Sequence, residues 1–505
     1  MRDVQLLHAP QSRICDYFVR AELDDKYEDA VLNVQVELGG VLEDGMAVKA
    51  VLSDDGKVVV TMTGLVKSGN MTYNLSQEIR NPKKWTAETP ELYDVSLSLC
   101  DARGKVLDYV SGRTGFRKIE VRDRVFLLNG QPVKMKGVNR VEHDPFTGKY
   151  VTKERVLAEV LQMKRNNINT IRTAHMPAVE WLYEFCDEYG IMVIDEANVE
   201  AHGMGYNEKS LAHKSEWKDA HVARLVNMME RDKNHPCIMM WSLGNETDNG
   251  ANLEAMYHAA KKLDPSRPVH YHFANEPISN DVLGGGLTGR SAHGLSGRYA
   301  TIDELKNVVA SDDTRPYLLN EFAHAMGNAM GNLKEYVEMF DAHDCLVGGT
   351  VWDWVDQGIC RSVADSSMYG MMIPQKEREA AMMACLDPEG GYYWAYGGDF
   401  GDRPNDTNFC CNGVVQPDLG DNSKLNEVRK VFQDVEFYAS DIKTGKIKVL
   451  NKFRFTDLRQ MQLRWTLLEN GREKDHGVLD NLSLAPCQTA EITLPLDRSV
   501  MDPDK

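Results

Sequence analysis

Two hydrophobic periodicities divide the chain. From about residue 12 to residue 115, short runs alternate apolar and polar positions, as at 30–38, 57–64 and 93–100, with turns such as Asp54-Asp55-Gly56 between them. A period of two sets one face of each run against a core, and about a hundred residues of it suit an immunoglobulin-like β-sandwich. Nothing in this stretch gathers aromatic or ionisable groups into a site, so it reads as a scaffold. Residues 1–10 read as a short strand-like tail with no partner strand of their own.

Near Phe126-Leu127-Leu128-Asn129-Gly130 the pattern changes to short, wholly apolar runs separated by helical stretches. Strands are expected at 133–137, 169–173, 191–194, 237–241, 269–272, 281–283, 317–319 and 346–352. Helices are expected at 152–166, with Thr152 as cap and Leu157, Val160 and Leu161 on one stripe, and at 179–189, 217–231, 253–263, 302–309, 333–342 and 422–431. The gap between the fifth and sixth strands has the weakest helical signal. Eight buried strands alternating with helices predict a (β/α)8 TIM barrel. A Met-rich, partly helical stretch at 361–393 reads as an insertion at the pocket rim. Alternation returns at 446–455 and 461–468, around the turn Glu469-Asn470-Gly471. The 74 residues from 432 to 505 fall short of the roughly 100 of a full sandwich. The expected organisation is a multidomain α/β chain: tail 1–10, sandwich 11–118, barrel 119–431, and part of a second β-sandwich at 432–505.

Composition adds limits. With 58 basic and 76 acidic residues, net −18, the chain is not expected to bind nucleic acid or an anionic membrane surface. No apolar run reaches membrane-spanning length and the first residues do not begin a signal peptide, which favours a cytoplasmic setting. Ten cysteines lack a metal-type spacing, and Cys410 and Cys411 are neighbours, where a disulfide would be strained; reduced thiols are expected.

The candidate chemistry lies where apolar runs end. Residues 237–246 close on Gly244-Asn245-Glu246, and residues 316–321 close on Asn320-Glu321. A barrel carries its chemistry at the strands' C-terminal ends, so both carboxylates can face one pocket, the arrangement glycoside hydrolysis uses. One such Glu alone would more often be a loop charge. The other strand ends supply Asn139, Arg140, Arg172, His175, Glu196, Glu200, His202, Tyr299, His324, Trp352, Asp353 and Trp354. Each alone has a bland reading, but polar and aromatic residues recur at one end of almost every strand.

These residues also carry a resemblance. Gly137-Val138-Asn139-Arg140, Arg172-Thr173-Ala174-His175, the run 195–203, Asn234-His235-Pro236, the run 241–246, the run 320–328, the run 351–357 and Gly397-Gly398-Asp399-Phe400-Gly401 together resemble the β-galactosidases of glycoside hydrolase family 2. The likeness extends to about Asp434.

The resemblance implies a retaining exo-hydrolase of terminal β-galactose, with β-galactosides such as lactose as substrates. Glu321 would be the nucleophile, kept ionised by Arg172, and Glu246 the acid/base. Glu200, His202 and Glu246 would bind magnesium, with manganese left open by the imidazole; a zinc peptidase is disfavoured because His-Glu-x-x-His is absent. Asn139, Arg172, His175, Asn245, Tyr299, His324, Trp352 and Asn412 would line the sugar site, Trp352 as an apolar platform and Tyr299 beside the nucleophile. The Phe409 carbonyl and Asn412 would form part of a sodium site. Family members are often oligomers, so a homo-oligomer is among the expectations.

Three departures stand out. Asn139-Arg140-Val141-Glu142 has valine where the family commonly has histidine, so either the substrate preference differs or His143 compensates. Residues 1–10 resemble only the last strand of the family's N-terminal sugar-binding sandwich, which leaves the sodium site incomplete. The C-terminal β domains are missing or cut. A β-glucuronidase-like enzyme and an inactive galactoside-binding remnant are the competing readings.

Overall fold

The alternating runs of the first hundred residues pair into two sheets. The computed structural model, which describes residues 4–272, 280–284, 299–362 and 391–497, sets the strands Ser12–Leu23, Ala30–Gly40 and Thr72–Ile79 in one sheet. Lys57–Leu65, Ala47–Asp54, Tyr93–Cys100 and Val106–Thr114 form the other, in that spatial order. Their inward positions, including Leu32, Val34, Val36, Val48, Leu52, Val95 and Leu97, make one buried core. Asp54-Asp55-Gly56 turns as expected: Asp55 and Gly56 both have positive φ, 47° and 75°, the geometry of a two-residue hairpin whose twist matches its strands.

Residues 4–10 form no strand, and Val4, Leu6 and Leu7 are exposed. A single extended segment without a ladder partner gains no backbone hydrogen bonds that water does not already supply.

The wholly apolar runs become a closed eight-stranded parallel barrel. Its strands are Met135–Arg140, Thr170–Thr173, Met192–Glu196, Ile238–Ser242, Val269–Tyr271, Val282–Leu283, Tyr317–Phe322 and Leu346–Val351, neighbours in that order, with the eighth pairing back onto the first. Every residue of these strands is buried, which is why they read as continuous apolar runs rather than alternations. Gly348 lies on the closing seam at φ 130°, and a Cβ there would stand 2.1 Å from the Met135 carbonyl.

Helices Lys153–Arg165, Glu180–Tyr189, Lys218–Asp232, Ala251–Leu263, Ile302–Ala310, Leu333–Ala342 and Ser423–Val431 follow the expected segments. Thr152 caps the first, accepting from the Arg155 N–H at 3.2 Å. Its buried stripe is Val156, Val160 and Met163, while Leu157 and Leu161 are half-buried. The stripe is turned because Glu159 is buried with it, paired to Arg140 and Arg155. Residues 273–279, most of the segment between the fifth and sixth strands, and most of the 361–393 insertion fall outside the described residues; around the insertion, Ile359–Ser362 and Tyr392–Ala395 pair as an antiparallel ladder.

The sandwich is tied to the N-terminal end of the barrel. The Val19 N–H donates to Asn234 Oδ1 at 2.8 Å, Arg117 Nη2 donates to the Ile238 carbonyl at 3.0 Å, and Trp85 Nε1 donates to the Asp187 carbonyl at 2.9 Å.

The chain divides into two compact units, Met1–Val431 and Phe432–Lys505. The second holds a three-stranded sheet, Val435–Asp441, Lys446–Asn451 and Thr489–Thr493, beside a small core of Val449, Leu458 and Leu484, and a separate hairpin, Leu463–Glu469 with Arg472–Leu479. Asn470 and Gly471, at φ 51° and 75°, make the hairpin turn. This matches part of a β-sandwich. Among the described residues, no helix is long and apolar enough to cross a membrane.

Candidate active site

Arg172, next to last on the second barrel strand, organises the pocket. It is fully buried, so its charge persists only because acids surround it. Nε and Nη2 grip Glu196 at 2.7 and 3.0 Å, and Nη1 donates to Glu321 Oε1 at 2.9 Å. Asn139 Oδ1 and Asn245 Oδ1 accept from Nη1 and Nη2 at 2.9 and 3.0 Å. Burial works against the guanidinium charge, but Glu196 and Glu321 more than offset it and raise its pKa. Burial would likewise raise Glu196, yet Arg172, His175 and Ser242 together hold its carboxyl well below the usual carboxylate range.

Glu321 ends the apolar run of the seventh strand. Tyr299 donates to its Oε2 at 3.0 Å, so Arg172 and Tyr299 hold one oxygen each. Tyr299 meets His324 edge-on at 6.1 Å between ring centres, and His324 lies 5.9 Å from the Phe409 ring. Burial depresses the His324 imidazole below its ordinary value and favours its neutral form.

Glu246 follows the fourth strand on a loop that only glycine permits. Gly244 has φ 140°, and a Cβ would meet the Val199 carbonyl at 2.4 Å; the Asn245 N–H donates to that same carbonyl at 2.8 Å. The close approach presses the loop carrying Glu200 against the loop carrying Glu246. Glu246 itself has φ 29°, a backbone conformation that costs about 1–3 kcal/mol and persists only where its surroundings impose it. Its Oε2 lies 2.7 Å from His202 Nδ1, and Glu200 accepts from Asn245 Nδ2 at 2.7 Å. One ligand atom from each of Glu200, His202 and Glu246 falls within 4.8 Å of the others. Two carboxylates and an imidazole so placed can hold a divalent cation.

The remaining expected residues gather around this centre. His175 Nδ1 lies 2.8 Å from Glu196 Oε1, and its ring stacks on Trp352 at 5.0 Å and 9°. Asn139 is completely buried; its amide donates to the Asn320 and Thr350 carbonyls at 3.0 Å each while its oxygen holds Arg172, so its polar atoms are engaged within the barrel. Asn412 Nδ2 donates to the Phe409 carbonyl at 3.2 Å, and the Asn412 carbonyl accepts from the Asp353 N–H at 3.0 Å. Arg140 does not join the pocket constellation; it pairs with Glu159 and Glu142. His143, the candidate substitute at the Val141 departure, is buried with Nε2 on the Gly358 carbonyl at 2.9 Å, which commits that edge of its ring to the backbone.

Glu196 stood among the strand-end residues without a role; an acid closing a buried strand beside a buried arginine was the signal that could have found it. Asp353 is another such residue. It is fully buried, burial and Asp356 push its carboxyl well above the usual range, and Gln357 bonds its Oδ2. His270 and His272 went unassigned; burial depresses them to about 4 and about 3, which makes both neutral.

Known families match in the same order along the chain. Residues 12–117 match the description "Glycosyl hydrolases family 2", residues 119–437 "Glycosyl hydrolases family 2, TIM barrel domain", and residues 447–503 "Beta-galactosidase, domain 4". Among curated relatives, a Beta-galactosidase of Priestia megaterium (strain DSM 319 / IMG 1521) is 37% identical over 511 residues, covering 98% of this chain and 46% of that protein. A Beta-galactosidase of Pseudoalteromonas haloplanktis is 35% identical over 521 residues, with the same coverages of 98% and 46%. The chain thus spans about half the length of the curated relatives it matches. Among solved structures, the β-glucuronidase of Ruminococcus gnavus in complex with D-glucuronic acid superposes with a TM-score of 0.60 at 23% identity, over 84% of this chain and 68% of that one. At that identity the likeness concerns the fold alone.

Proposed function

The chain belongs to glycoside hydrolase family 2, and from that premise we propose that it is a retaining exo-β-galactosidase acting through Glu321 and Glu246. The observation that carries the reading is the holding of Glu321 by Arg172 and Tyr299 at the end of one barrel strand, with Glu246 at the end of another. A buried carboxylate bonded on both oxygens is oriented and kept ionised, as a nucleophile must be.

In the first half-reaction a Glu321 oxygen attacks the anomeric carbon while Glu246 protonates the departing oxygen, leaving a galactosyl ester on Glu321. In the second, Glu246 takes a proton from water, the water attacks the same carbon, and galactose leaves with its original configuration. Direct attack requires the two carboxyl groups to lie about 5–5.5 Å apart.

Other residues position the sugar. Ionised Glu196 can only accept, so His175 Nδ1 donates to it and Nε2 is left for a contact with a sugar hydroxyl. Neutral His324 offers a second such contact without adding charge beside the forming oxocarbenium. Trp352, stiffened by stacking on His175, presents an apolar face to the ring. Asn139, whose polar atoms are taken up, serves by holding Arg172.

Glu200, His202 and Glu246 would hold magnesium or manganese, a fit supported by three ligand atoms within 4.8 Å. When bound, the cation would supply positive charge beside Glu246, favouring the ionised form that takes a proton from water in the second half-reaction. At the proposed sodium position the Asn412 amide would have to turn its oxygen toward the ion, releasing its bond to the Phe409 carbonyl.

The test is hydrolysis of a nitrophenyl β-galactoside with magnesium and after chelation, beside Glu321→Gln and beside the matching β-glucuronide. The reading expects metal-stimulated turnover of the galactoside that the substitution abolishes. A folded chain that binds galactosides without hydrolysing them would overturn it.

A further inference from the structure

The mechanism leaves unused the two adjacent cysteines noted in the sequence. Cys410 ends the short turn Thr407–Cys410 and Cys411 follows it, between Phe409 and Asn412. Both thiols are unbridged and part-exposed.

The backbone around them is anchored. The Cys410 carbonyl accepts from the Gln357 N–H at 3.0 Å, the Cys411 N–H donates to the Asn408 carbonyl at 2.9 Å, and the Asn412 carbonyl accepts from the Asp353 N–H at 3.0 Å. These bonds fasten the pair to the segment that follows the eighth barrel strand, at the catalytic end. Among the described residues, Asp356, Lys149 and Lys424 are charged groups near the thiols.

Neighbouring residues joined by a trans peptide have Cα atoms about 3.8 Å apart, short of the roughly 4.4–6.8 Å that an unstrained disulfide spans. The pair therefore resists closing on itself and stays available as a dithiol. Two soft donors on one fastened turn suit a soft, thiophilic centre, and two donors match the two exchangeable valences of a monosubstituted trivalent arsenical. Cys186 and Cys237 also neighbour each other but are fully buried.

We propose that Cys410 and Cys411 form a chelating site for trivalent arsenicals, and that occupation of it slows the reaction by stiffening the turn that carries Asn412. With an organoarsenic oxide, two sulfur–arsenic bonds form, and the arsenic-bound oxygen leaves as water with the two thiol protons. Arsenic stays trivalent, so no oxidant or reductant is needed.

The experiment treats the reduced full chain with one equivalent of phenylarsine oxide and maps the adduct by peptide mass, for the unaltered chain and for Cys410→Ser and Cys411→Ser. The expected result is a single phenylarsenic bridging the two cysteines, reversed by a dithiol at a concentration on the order of 10²-fold below that of a monothiol, the scale of a two-point attachment. Each variant should lose the bridge. Absence of an adduct on this turn, or equal retention in either variant, would overturn the site. The slowing rests on the proposed hydrolysis and is read on the nitrophenyl β-galactoside: turnover should fall in step with the bridge, and C411S should keep its turnover under the arsenical. A bridge with unchanged turnover would overturn the slowing. A chain with no turnover before treatment would count against the proposed function, while the mass map still decides the site.

Discussion

At the scale of single residues, the pocket depends on one buried cation. Arg172 satisfies Glu196 and Glu321 together, so its replacement leaves two carboxylates buried without their partner. Arg172→Met should destabilise the chain by about 3–5 kcal/mol, the cost of breaking a buried pair, read as a lowered urea midpoint. Glu321→Gln keeps the shape and should leave the fold near its original stability, while hydrolysis falls by at least about 10³-fold, the scale on which a missing reacting group tells. The polar residues at the strand ends were legible in the sequence, because each follows an apolar run. Their partnerships were not. Nothing in one dimension says that Arg140 turns to Glu159 while Arg172, on the next strand, turns to Glu196 and Glu321. That choice depends on which side of its strand each side chain leaves and on which loop lies there.

At the scale of elements, the close contact of two loops matters more than any helix. Gly244→Ala brings a methyl against the Val199 carbonyl and strains a backbone at φ 140°, so the loop bearing Glu246 must move. A displacement of about 1 Å is enough to cost roughly 10²-fold in rate. The variant should therefore lose far more kcat than stability, with kinetics and thermal unfolding measured together. Thr301 accepts from the Glu304 N–H while Glu304 bonds back to the Thr301 N–H. Thr301→Ala should cost about 1 kcal/mol, seen as a small fall in melting temperature without change in kcat. The eight strands and seven helices were readable because burial on both faces makes apolar runs and the helical stretches separate them; Thr152 also marks the start of the first helix. The stripe of the first barrel helix was misplaced because a buried Glu breaks the apolar pattern, and hydrophobicity alone cannot foresee that Arg140 and Arg155 accompany it. The strand-like tail failed for the opposite reason: it has the right residues, but residues 4–10 have no ladder to join.

At the scale of the whole molecule, buried neutral histidines couple the fold to pH. His143 and His270 are depressed to about 4 and His272 to about 3, in each case chiefly by burial. Unfolded, each would take a proton near pH 6.5. Because their folded values are lowered, their contribution is complete above about pH 6.5, and it is lost as the pH falls through the folded values near 4 and then 3. Protonation of the buried Asp353 carboxyl, held above the usual range, works in the opposite sense, so the histidine contribution is read by comparison: between pH 7 and pH 4 the thermal midpoint of His143→Gln should fall less than that of the unaltered chain. The proposed mechanism turns on covalent glycosylation of Glu321. The most direct measurement is to incubate the chain with a 2-deoxy-2-fluoro-β-galactoside bearing a good leaving group, which slows the second half-reaction, and to map the labelled peptide by mass. One fluorogalactosyl group on Glu321, absent from Glu321→Gln, is the expected outcome; an adduct on Glu246, or hydrolysis that proceeds with inversion and leaves no adduct, would rule out Glu321 as the nucleophile.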